Sequence, residues 1–170
     1  MVEGLFFVVC EVLVISGVAK FFSPKPTKSA LSTLGLPSSL SIVKALGLTE
    51  ITLGVSGVVV GGRYIPMAVG ALFAFFIVFI IFAIRHDGLT TCGCFGAMNE
   101  PPTLLHAFAN IIFMVIALTA IDIDGISEVV NRQWASGIPF IISVLLGALI
   151  IYLCLVFLPR VWRRVASNFR

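Results

Sequence analysis

The chain has 170 residues, of which 59% are hydrophobic and only 11% charged, with a formal net charge of +3 and a mean hydropathy of +1.15. A soluble domain carries about 25% charged residues, so this composition excludes an ordinary soluble globular domain and identifies an integral membrane protein. A spanning helix needs roughly 20 mostly apolar residues, because its N–H and C=O groups must satisfy one another where water is absent.

Five stretches meet that requirement, at residues 5–22, 40–61, 65–84, 104–121 and 138–158. The first fits a cleaved signal peptide poorly and is expected to be a spanning helix. "MVEGLFF" begins with an acid instead of a basic region, and "GVAKFF" lacks the small-x-small cleavage pattern. This segment carries Cys10, Glu11 and Lys20 among apolar residues. Its connection to the second, "SPKPTKSALSTLGLPSSLS", contains an amphipathic piece bounded by prolines, which reads as a surface helix, a re-entrant turn or a plain polar loop. The second segment holds Glu50 in "GLTEITLG", and "GGRY" after it is a tight turn. The third, "IPMAVGALFAFFIVFIIFAI", has no charge at all. A polar loop with "TTCGCFGAMNEPP" leads to the fourth. The acidic stretch "DIDGISEVVNRQWASG", with Trp134 placed as an interfacial aromatic, leads to the fifth. The expected fold is an all-α membrane bundle. Residues 1–123 form a four-helix core, 124–137 a connecting loop, and 138–170 a fifth helix with a basic tail.

An ionisable residue in the bilayer costs about 2.5–3.5 kcal/mol on insertion scales and tends to be kept for a reason. Glu11, Lys20 and Glu50 are the candidates. Glu11 and Lys20 are nine residues apart, about two and a half helical turns, and so lie on different faces, whereas a hairpin brings Lys20 and Glu50 to the same side of the membrane. Such a pair serves either as a clamp that fixes helix packing or in proton or quinone chemistry. Small residues in "GVSGVVVGG" and "AVGALFA" permit close helix approach, inside the bundle or against a partner.

Nine of the eleven basic residues, namely Lys20, Lys25, Lys28, Lys44, Arg85, Arg160, Arg163, Arg164 and Arg170, fall on one side of a five-helix chain. The positive-inside rule makes that side cytoplasmic, with the N-terminus outside and the C-terminus inside. The tail "RVWRRVASNFR" then meets an anionic lipid surface, a membrane anchor that implies no nucleic-acid partner.

Of the four cysteines, Cys10 and Cys154 lie in apolar helices and are expected in the core. Cys92 and Cys94 stand in a polar loop between glycines. A disulfide at this spacing is strained and therefore suited to exchange. Two thiolates also suit Cu(I), and a glycine-rich turn with no chemistry is the third reading. A closed zinc site needs four ligands, and only His86 and His106 stand nearby. His86, Arg85 and the start of the fourth helix are positioned in sequence to lower a thiol pKa.

The order "SGVAKFFSP", then "GLTEITLGV", then "CGCFG" resembles the MauE family of methylamine utilisation proteins over about residues 5–121. That family is similar to DoxX-like membrane proteins and, more distantly, to quinone-linked four-helix thiol oxidoreductases. The resemblance implies a bacterial inner-membrane bundle that assists maturation of a disulfide-rich periplasmic dehydrogenase beside a thioredoxin-like partner. Cys92 and Cys94 match its paired cysteines, Lys20 its lysine and Glu50 its glutamate, while the fifth helix and the Arg-rich tail depart from its pattern. A periplasmic client requires the CGCFG loop outside; the charge distribution puts it inside. The resulting expectation is a thiol–disulfide redox or maturation factor with catalytic Cys92 and Cys94, supported by Lys20, Glu50, Glu11 and His86, and with quinone as the candidate cofactor although no quinone motif is legible. A non-catalytic subunit of a larger membrane complex and a Cu(I) handler are the alternatives.

Overall fold

The computed structural model describes residues 2–85, 103–128 and 137–168, with side chains over 2–85, 103–128 and 140–155. Its helices are α1 (Val2–Phe22), α2 (Lys25–Thr33), α3 (Leu40–Val59), α4 (Tyr64–Arg85), α5 (Leu104–Thr119) and α6 (Gly137–Asn168). The all-α membrane fold expected from composition is therefore present. Among the described residues α1, α3 and α4 are long and apolar enough to cross a membrane, and α5 and the Phe140–Leu155 part of α6 are shorter apolar helices.

The polar connection after α1 forms the short helix α2, which buries Thr27 and Ala30 against the bundle. Pro24 and Pro26 are tolerated because the first turn of a helix has no intrahelical use for their missing N–H groups. Ser39 then starts α3, its Oγ accepting a hydrogen bond from the Ile42 N–H at 3.1 Å.

Helix α1 is the hub, touching α3, α5 and α6. Its contact with α3 follows a heptad seam: the buried residues of α3 are Val43, Gly47, Glu50, Gly54 and Gly57, spaced alternately by four and three. The glycines set the separation. A β-carbon at Gly17 would lie 2.5 Å from the Gly47 carbonyl oxygen, and one at Gly47 would lie 2.7 Å from the Gly17 oxygen. Further along, β-carbons at Gly54 and Gly57 would meet the Cys10 oxygen at 2.6 Å and the Cys10 Sγ at 2.5 Å. The small residues of the "GVSG" stretch thus pack inside the bundle.

Helices α4 and α5 pair antiparallel, with Phe73 against Phe113 at 5.3 Å between ring centroids and Gly70 beneath Leu118. Helix α6 runs parallel to α1, since Phe140 faces Gly4 and Gly147 faces Val8. The Phe7 and Phe140 rings meet edge to face at 6.1 Å. The segment read as a separate C-terminal addition is therefore part of the same core through Val144, Ala148 and Leu155. Cys154 departs from expectation: it is exposed on the outer face of α6, whereas Cys10 is buried.

A two-stranded antiparallel ribbon closes one end of the bundle. In it β1 (Gly61–Gly62) pairs with β2 (Ile123–Asp124). The "GG" turn is required there, because both glycines adopt left-handed φ values of 65° and 80° that a side chain would strain. At the opposite end lie the last turns of α1 and α4 and the first turns of α3 and α5, and this is the end that carries the candidate site.

Candidate functional site

Ser16 and Lys20 stand one turn apart on α1 and therefore share a face. Glu50 faces them from the α3 seam, one turn after Gly47. Because Gly17 and Gly47 allow the two backbones to approach, Lys20 and Glu50 need not reach far to meet. Lys20 Nζ donates to Glu50 Oε2 at 2.9 Å and to Ser16 Oγ at 2.6 Å, and it lies 2.9 Å from Glu50 Oε1 as well. The Lys20 and Glu50 side chains are 2% and 0% exposed. Lys20 thus turns inward and does not reach the membrane surface. Its Nζ also sits 5.4 Å from the centroid of Phe76, where the face of the ring attracts a cation.

A second polar group comes from α5. Asn110 is buried and donates through Nδ2 to the His106 carbonyl at 2.6 Å. His106, also buried, has Nδ1 2.8 Å from Thr103 Oγ1. Between these two polar groups lies a cavity of about 160 Å³. Ser16 and Lys20 of α1, Thr27 of α2 and Asn110 of α5 supply its polar wall, and Phe73, Phe75, Phe76 and Phe79 of α4 supply its aromatic one. Asn110, Thr27 and the phenylalanine group are functional candidates that sequence reasoning missed. The signal for Asn110 was present, since "LLHAFANIIF" places His106 and Asn110 one turn apart in an otherwise apolar helix.

The remaining sequence candidates are dispersed. Glu11 lies on another part of α1, in a lipid-facing groove with Val14 and Ile15, Val55 and Val58 of α3, and Leu145 and Leu149 of α6. It does not join Lys20 and Glu50. His86, Cys92 and Cys94 lie outside the described residues. Arg85, which ends α4, and Thr103, which precedes α5, both stand at the end of the bundle that holds the Lys20–Glu50 pair.

The arrangement can bind and polarise. Taking two charges out of water costs several kcal/mol per ion, which their mutual attraction offsets only with good geometry and further hydrogen bonds. Lys20 has both here. A cation held in this way next to an aromatic cavity stabilises negative charge or an oxygen acceptor on whatever occupies it.

No curated protein and no solved structure matches the chain. A family model does: residues 2–122 match the one described as methylamine utilisation protein MauE. That match covers the described bundle from the start of α1 to the end of α5, including Lys20, Glu50 and Asn110, and by it the chain belongs to the MauE family.

Proposed function

We propose that this MauE-family membrane protein is a thiol–disulfide redox or maturation factor of the bacterial inner membrane, acting through Cys92 and Cys94 on a partner protein. The observation that carries the reading is the location of the loop's two anchors. The described chain ends at Arg85 and resumes at Thr103, and both stand at the end of the bundle that holds Lys20 and Glu50. Anchors at that end support an exchange role for the segment that carries Cys92 and Cys94.

In the exchange, one loop thiolate attacks a sulfur of the partner's disulfide and releases the partner's other sulfur as a thiolate. The second loop thiolate then attacks the loop sulfur of the mixed disulfide. The partner leaves as a dithiol with the two electrons, and Cys92 and Cys94 are left joined. The reverse sequence oxidises the partner. The basic helix ends support a cytoplasmic position for this loop under the positive-inside rule, with the N-terminus outside; a thioredoxin-like partner is what the family resemblance implies.

Mixed-disulfide trapping tests the proposal. Cys94→Ser removes the resolving thiol, so a covalent adduct with the partner accumulates and disappears on reduction. If neither single serine variant traps an adduct, and the double variant supports partner maturation as well as the unaltered chain, the reading fails.

A further inference from the structure

We infer that the groove over Glu11, between α3 and α6, is the docking site for a transmembrane helix of a different membrane protein, one that carries a lysine or arginine at mid-bilayer depth. The inference goes beyond the thiol reading and does not rest on it. It starts from a contrast between two charged residues of α1. Lys20 is buried and held by Glu50 and Ser16. Glu11 is partly exposed, and among the described residues no hydrogen bond or ion pair reaches it.

Depth makes that contrast matter. Glu11 lies nine residues from Val2 and eleven from Phe22, which at a rise of 1.5 Å per residue is roughly 14 and 17 Å from the two ends of α1. The hydrocarbon core is about 30 Å thick, so the carboxyl sits near its middle. Ionisable side chains at that depth almost always face a bundle interior or a water-filled cavity and pair with another group. Glu11 instead opens on the lipid side of this chain.

The groove has the shape of a helix seat. Helices α3 and α6 both pack on α1, and the space left between them, about 390 Å³, runs along it. Glu11, Val14 and Ile15 form the floor at helical i, i+3 and i+4 spacing. Val55 and Val59 stand one turn apart on the α3 wall, Leu145 and Leu149 one turn apart on the α6 wall, and each is about half exposed. Rows of side chains four residues apart are the ridges between which an incoming helix packs. A single carboxyl in an otherwise apolar floor fixes the depth and rotation of that helix, the register role best attested for buried charge. The α6 wall lies beyond the part of the chain that the MauE family covers.

Charge complementarity selects the occupant. An acyl chain fits the walls but leaves the carboxyl without a partner, and lipid headgroups stay at the interface. A second copy of this chain offers no suitable cation, since Lys20 and Lys44 are the only lysines or arginines in its five apolar stretches. Lys20 is already paired. Lys44 stands ten residues before Gly54, about 15 Å along α3, and Gly54 is the residue that packs on Cys10. In a copy of the same orientation Lys44 is therefore far from the depth of Glu11. The cation must come from another protein.

Site-specific photocrosslinking in native membranes tests the assignment, with p-benzoylphenylalanine placed in the full chain at position 145 or 55, and at exposed position 115 on α5 as control. Positions 145 and 55 are expected to capture the same protein and position 115 not to. The captured peptide, identified by mass spectrometry, should be an apolar segment containing Lys or Arg. Glu11→Leu should cut the adduct about tenfold, the scale of a lost charge-assisted contact. Glu11→Lys should abolish it, and replacing the captured base by Glu should then restore it. The purified Glu11→Leu chain should unfold in SDS at the same fraction as the unaltered protein or a higher one. Adducts with lipid or a second copy alone, a captured segment without a basic residue, an adduct indifferent to Glu11→Leu, or failure of the charge swap would overturn the inference. So would unfolding of Glu11→Leu at a lower SDS fraction, which would assign Glu11 to packing within this chain. Capture that persists in the Cys92→Ser, Cys94→Ser double variant supports a contact in the groove; capture that vanishes there assigns it to the thiols instead.

Discussion

Replacing Lys20 by methionine keeps most of the length of the side chain and removes the cation that faces Glu50 at 2.9 Å from both carboxylate oxygens. The carboxylate is then left fully buried opposite a thioether. Breaking a buried pair from one side costs about 3–5 kcal/mol, which shifts the folding equilibrium by about 10² to 10⁴. Glu50→Leu leaves Lys20 buried without the carboxylate that pairs with it and is expected to cost a similar amount. The double variant should be far milder than the sum, because apolar residues of similar volume replace a buried pair at little cost. The coupling energy, which is the sum of the two single costs less the cost of the double variant, is therefore expected to exceed about 3 kcal/mol. Reversible unfolding in mixed micelles, followed by titration with SDS, measures all four corners of the cycle. An ordinary interhelical hydrogen bond in a membrane couples by about 0.6 kcal/mol. A coupling at or below that value would refute the claim that Lys20 and Glu50 form an ionic clamp.

Three more outcomes are expected. Gly47→Ala, whose β-carbon would meet the Gly17 oxygen at 2.7 Å, should destabilise the bundle by about 1–3 kcal/mol through overpacking and should also disturb the Lys20–Glu50 distance. Gly147→Ala, which meets only Val8 side-chain carbons at 3.2 Å or more, should be nearly silent in the same unfolding assay. A membrane-impermeant maleimide applied to intact cells should leave Cys92 and Cys94 unlabelled until the membrane is opened; Cys10 is buried and should stay unlabelled in both conditions. Labelling from outside would reverse the orientation and bring the loop to the periplasmic side that the family resemblance implies.

Composition and length made the helices legible because the bilayer imposes one requirement on every spanning segment, and the seam of α1 against α3 follows from Gly17, Gly47, Gly54 and Gly57 wherever they fall in a heptad. The Lys20–Glu50 pair was legible for a related reason: two opposite charges in consecutive apolar segments joined as a hairpin have few other partners. The cavity was not legible. It depends on α4 turning Phe73, Phe76 and Phe79 toward α1, and a segment as uniformly apolar as "LFAFFIVFIIFAI" has no polar face to say which way it turns. The packing of α6 directly on α1 was hidden for the same reason, as was the outward position of Cys154.

The position of the clamp also explains why the bundle can be tight along one seam and open at another. Along α1 and α3, Gly17, Gly47, Gly54 and Gly57 let the helices approach closely, and the Ser16, Lys20 and Glu50 group lies in the crossing. On the other side of Lys20, α4 presents large rings in place of glycines, and bulky side chains hold the helix axes apart. A charge paired on its α3 side and facing rings on its α4 side is fixed in place, whatever enters between the rings. That rigidity is what a binding group needs, because a lysine already held by Glu50 and Ser16 loses little further conformational entropy when a ligand arrives. The same pair therefore stabilises the helix crossing and presents a fixed cation to the cavity.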